Sequence, residues 1–402
     1  MNIKTTLKSS VAVAALFAVA APVANAADDT LKSGNKNTLT MSGQVVSALW
    51  NGDDGSSNST FISGGRVTAT RVRWIAQGSL NADVTAGATI EIDLPFANNP
   101  SGNTLGGTGN ATQNVDGVDT NAAATWGVRH QYVWVNHKKF GKLSLGNTGA
   151  ASEGIAETDL SGDHGATSLM GNNSYGSGIA FVETSGTTPS ATAMTPGGVF
   201  SNFDGAGRIE VLRYDTPTFY GAQLRAGFIN GGTWDVGLFY GAKFGAFQVK
   251  ASAGYYDTSA TSATQNFRTA GSIAVLHDSG LNASFSTGKN NIKSGNNFNS
   301  VQTSIDDPTN VYWSVGYKAK LFGVGGTNFN VKYKNTEDLI TTAAFDDTDA
   351  TAWAFSVSQN FDAIGAKVAL QYLNMSLDAT NAGAKYTFDD IDVISLQTVF
   401  AF

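Results

Sequence analysis

The sequence predicts an all-β fold, a closed antiparallel transmembrane β-barrel of about sixteen strands. Three observations predict it. Beyond the N-terminal segment no run approaches 18 consecutive apolar residues, although 42% of the chain is hydrophobic, so membrane helices are excluded. Segments of about ten residues, longer than the usual five or six of a soluble sheet, alternate apolar and polar side chains. The connections between them alternate between short and long, as transmembrane barrels require.

The N-terminus reads as an export signal. Lys4 and Lys8 precede an apolar stretch from Val11 to Ala21, and Ala24-Asn25-Ala26 supplies small residues for cleavage after Ala26. The barrel domain is then 27–402. It opens with a polar extension from Asp28 to Asn37.

Strands are expected at 38–50, 69–80, 84–94, 125–137, 142–147, 208–216, 221–229 and 233–243. Eight more follow at 247–256, 268–276, 281–287, 310–319, 327–334, 351–361, 366–376 and 391–402. The third shows the pattern best. Val84, Ala86, Ala88, Ile90, Ile92 and Leu94 form one face, and Thr85, Gly87, Thr89, Glu91 and Asp93 the other. Short turns fall at Asn81 to Asp83, Lys138 to Gly141, Pro217 to Tyr220, Phe244 to Ala246, His277 to Gly280, Lys320 to Gly326 and Asp362 to Gly365. Phe140, Phe219, Tyr220, Phe244, Phe322 and Phe361 lie at or beside these turns, where rings favour a membrane interface. Edge groups facing lipid must be paired, so the first and last strands should meet. Ile394, Leu396, Phe400 and Phe402 give the last strand one apolar face.

Composition excludes several classes of function. There is no Cys, hence no thiolate metal site or nucleophile. The charge of −7 argues against nucleic acid as a partner. His130, His137, His164 and His277 have no zinc spacing, and Gly323-Val324-Gly325-Gly326 precedes no helix. Asp163, His164 and Ser168 are close in sequence but match no catalytic arrangement, so no enzyme is expected. No cofactor is expected either. Asp346, Asp347 and Asp349, with Asp53 and Asp54, could hold a loop-bound Ca²⁺ ion or bridge lipopolysaccharide, although their spacing fits no calcium loop.

Arg208-Ile209-Glu210-Val211-Leu212-Arg213-Tyr214-Asp215-Thr216-Pro217-Thr218-Phe219-Tyr220-Gly221 resembles the Arg-Tyr-Asp-Ser-Pro-x-Phe-x-Gly segment of Gram-negative general porins. Phe140-Gly141-Lys142-Leu143-Ser144-Leu145-Gly146 is similar to their Phe-Gly-x-Leu-x-Leu-Gly turn, and the aromatic last strand matches too. The sequence departs at Asn147, where an Arg is frequent, and in the 28–37 extension. The resemblance implies a sixteen-stranded barrel in the outer membrane, usually a homotrimer among lipid and lipopolysaccharide. Small hydrophilic solutes and ions would diffuse through it. The third loop would fold inward and narrow the pore.

That loop corresponds to Thr148 to Gly207, the longest connection, and a loop of this length is usually functional. By the resemblance its Glu153, Glu157, Asp159 and Asp163 form the acidic side of a constriction. The basic wall would be Arg71, Arg73, Arg129, Arg208 and Arg213. Parity turns Arg71, Arg73 and Arg129 to the lumen. Val211-Leu212 breaks the alternation, so either Arg208 or Arg213 could point inward. An Arg facing lipid at the midplane costs about 2–4 kcal/mol, which favours the wet side. Opposed charges across the passage would create a transverse field. The acidic balance predicts weak cation preference. The alternatives are a channel for a specific solute such as a sugar or phosphate, and a surface adhesin. Lys243, Lys250, Lys318, Lys332 and Lys334 have inward parity but are spread along the chain.

Overall fold

The computed structural model describes residues 31–32, 36–94, 126–163, 170–185, 194–293, 306–339 and 345–402. The export signal, most of the 28–37 extension, His164 and Ser168 lie outside them. Nineteen hydrogen-bonded segments join in one antiparallel sheet. Sixteen barrel strands result, because two strands are each interrupted once and one segment is a short addition.

The first eight strands are β1 Thr38–Asp53, β2 in two arms (Asn58–Gly64 and Arg71–Ser79), β3 Val84–Asp93, β4 Gly127–His137, β5 Gly141–Gly149, β6 Arg208–Asp215, β7 Ala222–Ile229 and β8 Trp234–Phe244. The second eight are β9 Phe247–Asp257, β10 Gln265–His277, β11 Leu281–Ile292, β12 Thr309–Phe322, β13 Gly325–Glu337, β14 Asp347–Phe361, β15 Ala366–Asn381, and β16 in two arms (Ala384–Thr387 and Ile391–Ala401). Each strand pairs with its sequence neighbours. β16 closes on β1 from Asp392↔Asp53 to Ala401↔Gln44. Phe402 and Gly43 exchange two further backbone hydrogen bonds, 2.8 and 3.0 Å. Leu31–Lys32 pairs with Leu39 and Thr38, next to where β16 stops.

All seven expected turns are present at one end of the barrel. The other end departs from the sequence reading. Asn58–Gly64 is a strand arm and not loop, and the connections at 54–57, 230–233 and 382–383 are short. The alternation of short and long connections is therefore not strict.

Outward side chains are apolar and exposed, as lipid contact demands. Leu145, Leu238, Phe285, Val315, Phe355 and Leu396 are examples, each more than two-fifths exposed. Aromatic rings stack in rows above them, as in Trp234–Tyr255–Phe267 and Trp313–Tyr333–Trp353. Inward side chains over most of the wall are Ser, Thr, Asn, Gln, Lys and Arg. The exception is an apolar cluster inside the barrel. Trp50, Ala352, Leu373, Met375, Leu377, Ile391 and Val393 of β1 and β14 to β16 pack there against Tyr175, Ile179, Phe181, Met194, Val199 and Phe200. No helix among the described residues is long and apolar enough to cross a membrane.

Candidate functional site

The segment after β5 runs along the inner wall in two stretches. Residues 150–163 cover β8 to β15. Ser152 donates from N and Oγ to Asp235 (2.6 and 2.7 Å), and Ser252 and Ser272 donate to the Ile155 carbonyl (2.9 and 2.7 Å). Further along, Asn328 and Lys367 donate to the Gly162 carbonyl (3.0 and 3.1 Å). Ser356 donates to the Asp163 carboxylate at 2.8 Å, and Lys332 forms an ion pair with it. Wall glycines permit this approach. A Cβ on Gly237 would stand 2.3 Å from the Ala151 carbonyl oxygen, and one on Gly288 would stand 2.7 Å from that of Asn202.

The second stretch, 170–185 with 194–207, fills the space beside β14 to β1. Its apolar side chains complete the inner cluster. Polar ties fix it as well. Tyr175 donates to Gln397 (2.5 Å), and Lys334 donates to Asn172 (3.0 Å). Arg66 lies in the break between the two β2 arms. It leaves the sheet and donates to Ser177 and to the Asn172 carbonyl, both at 3.2 Å.

Among the described residues, and apart from Val211 and Ile229 beneath its start, this loop leaves uncovered the wall of β2 to β7. Arg71 and Arg73 point inward there, as parity predicted, Arg129 joins them through a break in the alternation of β4, and all three converge on one buried carboxylate, Glu91. Arg129 donates to Glu91 at 2.8 Å and to Asp93 at 3.2 Å. A register shift between Glu91 and Ile92 places an extra residue on β4. Such a bulge turns two successive side chains the same way, and here Arg129 and His130 both face the lumen. His130 contacts Thr148 on β5 at 3.2 Å.

Arg213 is the inward arginine of β6. It binds Asp215 (2.9 Å) and the Gly149 carbonyl (2.6 Å). Arg208 departs from the expected wall. It shares the outward face of Glu210, Leu212 and Tyr214, and meets Glu153 at the rim, 2.6 Å away. The broken alternation has a packing cause. Val211 is buried against Ala150 and Ile229 beneath the start of the loop, while Leu212 faces lipid.

The acidic residues of the loop do not act alike. Glu157 is half-buried and accepts a hydrogen bond from Asn202 (3.1 Å). Burial, and then the neighbouring Asp204, push its carboxyl above the usual range. Burial also raises Asp204, against the Ala156 and Gly154 N–H groups that bind it at 2.8 and 2.7 Å. Asp159 closes a local turn on Ser161 (3.0 and 2.9 Å). Asp163 faces its own wall, on Lys332. The sequence therefore named the loop but missed its partners. Glu91 and Asp93 were visible as the polar face of β3. Asp204 and Arg66 gave no signal, because irregular backbone sets their positions.

Four of the five aspartates named for calcium, Asp53, Asp54, Asp346 and Asp349, accept hydrogen bonds within the chain. Asp53 and Asp54 accept N–H groups of residues 55–57. Asp346 accepts from Thr380 and the Ala382 N–H, and Asp349 from Asn335. No group of three or more His, Asp or Glu side chains suited to a metal comes together among the described residues.

The family profile described as Gram-negative porin matches residues 11–380. No curated protein matches the sequence. Among solved structures, OmpT of Vibrio cholerae, an outer membrane protein, is 15% identical with a TM-score of 0.56, over 93% of this chain and 100% of that one. A trimer form of it covers 91% of this chain and 99% of that one, at 15% identity and a TM-score of 0.56. An anion-selective porin from Comamonas acidovorans is 13% identical, TM-score 0.56, over 91% and 100%. OmpF of Salmonella typhi, in complex with daunomycin, is 12% identical, TM-score 0.55, over 91% and 98%. At these identities the likeness concerns the fold alone.

Proposed function

This chain belongs to the Gram-negative porin family, and from that premise we propose that it is an outer-membrane channel for passive diffusion of small hydrophilic solutes and ions. It uses no cofactor and catalyses no reaction. It is exported, sits among lipid and lipopolysaccharide, and works as a homotrimer, a state supported by the trimer form of the Vibrio cholerae neighbour. One observation carries the reading. Inside a closed barrel with an apolar exterior, the loop after β5 leaves a polar, cation-lined wall at β2 to β7.

The placement of charge supports anion preference, opposite to the expectation from net charge. Three arginines share Glu91 and Asp93. Among the described residues, Lys142 and Arg225 on the same wall meet no carboxylate within ion-pair distance. The loop carboxylate Asp163 is held by Lys332 on the far wall. Many exposed acidic residues sit at loops and rims, where salt screens them within about 8–10 Å. A charged ring in a narrow low-dielectric passage outweighs them.

Reconstitution in planar bilayers tests both parts. Large, long-lived conductance steps that close in threes are expected, with a reversal potential on the anion side in a KCl gradient. A folded barrel that passes no current would overturn the channel reading. A reversal potential on the cation side would overturn the selectivity alone.

A further inference from the structure

The uncovered wall continues below the arginines, and its lower part carries aromatic rings paired with cations. Tyr132 and Trp134 follow His130 on β4 with inward parity. The Lys142 ammonium on β5 sits over both rings, 5.0 Å from the Trp134 centroid and 5.5 Å from that of Tyr132. The Arg225 guanidinium on β7 stacks on Phe239 of β8 at 3.9 Å, with its Nε donating to Gln223 at 3.1 Å. Asp215 stands between them, in register with both Lys142 and Arg225. Its carboxylate is already held by Arg213 through contacts of 2.9 and 3.0 Å. The two cations are thus two strands apart, about 10 Å between backbones at ordinary strand spacing.

Backbone choices make room for the rings. A Cβ on Gly87 of β3 would lie 2.6 Å from the Trp134 ring, so the indole rests on bare backbone. A Cβ on Gly146 of β5 would lie 2.9 Å from the Tyr132 Cα. Both positions also have inward parity, so the cost falls on the lumen wall and not on lipid packing.

We propose that Tyr132, Trp134, Lys142 and Arg225 form a low-affinity subsite for small carboxylates that carry an aromatic ring. The inference rests on the open-channel reading. A carboxylate would accept hydrogen bonds from Lys142 and Arg225, which the wall leaves without an anionic partner. The solute's ring would lie against the indole and phenol. The rings already attract the ammonium, and this holds it at the wall and orients it. A charged solute without a ring would gain only the electrostatic part, and an aromatic amine would be repelled. Weak binding suits a channel, since a solute must leave as readily as it enters. Among the described residues the site lies on the path itself, because the loop covers the opposite wall from β8 round to β1.

Benzoate, acetate and benzylamine would be titrated against single-channel current of the reconstituted full-length barrel, and against its tryptophan fluorescence in detergent. Benzoate should reduce the current reversibly, at concentrations about fivefold or more below acetate, with benzylamine inert. Lys142→Gln and Arg225→Gln should each remove most of that difference. Equal effects of benzoate and acetate would overturn the subsite and leave the channel intact. So would unchanged benzoate affinity in both variants. Loss of KCl conductance in the parent protein would instead strike the open-channel reading.

Discussion

Two stretches of the inner wall obey opposite rules. On β2 to β7 the lumen face is charged and kept in contact with water. On β14 to β1 the upper lumen face is apolar and sealed by the loop. Along β15 the reversal occurs within one strand. Leu370 and Tyr372 face outward, while Leu373, Met375 and Leu377 are buried inward. Outward on the same stretch Asn374 donates to Asp392 at 3.0 Å, so this part stands clear of the lipid band. A barrel interior is polar only where water reaches it. Where a loop excludes water, the ordinary hydrophobic effect takes over.

The largest test of this contrast is Trp50→Ala. Trp50 is 1% exposed and stacks on Phe61 at 4.3 Å, with its Nε1 donating to Ser63 at 3.1 Å. Emptying such a site costs about 3–5 kcal/mol. The thermal midpoint should fall, and conductance should become larger and noisier as the second loop stretch detaches. Tyr132→Ala, on the wet wall, should leave the midpoint nearly unchanged. Equal effects of the two substitutions would break the comparison.

Next is the arginine cluster. In Arg73→Gln with Arg129→Gln, Glu91 keeps only Arg71, at 3.8 Å. The cluster turns from net positive to net negative and the wall loses most of its excess of cations, so the anion-to-cation permeability ratio should drop by about severalfold. The reversal potential in a KCl gradient reads this directly. Trp50→Ala should move it far less.

This contrast also marks what the sequence could say. Period-two alternation and turn residues made the strands and all seven turns legible, since lipid imposes one rule on every outward face. Asn58–Gly64 was missed because Ser59 and Thr60 lie above the lipid, where that rule lapses. Arg71, Arg73 and Arg129 were legible because lipid forbids the alternative. Glu153, Glu157, Asp159 and Asp163 were legible as a group, but not in their roles. Their partners come from strands far away in sequence, and the loop backbone follows no period.

The loop also offers a pH test. Glu157 and Asp204 both have raised carboxyl pKa values in the folded loop, with burial as the first cause. A raised value means the packed loop favours the protonated form. The stabilisation is therefore present at low pH and lost as pH rises through the folded values. Glu153, Arg208 and Lys334 act on Glu157, and the last two temper the effect. Current fluctuations should grow from pH 5 to pH 9, and Glu157→Gln should flatten the profile. Noise that grew toward acid would contradict the assignment.

The last test, whose exposed arm has the smallest expected effect, compares one chemistry in two settings. Lys332–Asp163 is a buried pair beneath the loop, with side chains 3% and 0% exposed. Lys243–Asp278 is an open pair at the turn end, 2.8 Å apart with both side chains 57% exposed. Removing one member of a buried pair strands the other charge and costs about 3–5 kcal/mol. An exposed pair contributes about 0–1 kcal/mol, and salt lowers even that. Asp163→Asn should therefore destabilise the barrel and release the loop at its far anchor. Lys243→Ala should shift the thermal midpoint within error and leave selectivity unchanged in concentrated salt. If Lys243→Ala matched Asp163→Asn, the loop would not shield its wall from water, and the division of the lumen into wet and sealed walls would fail.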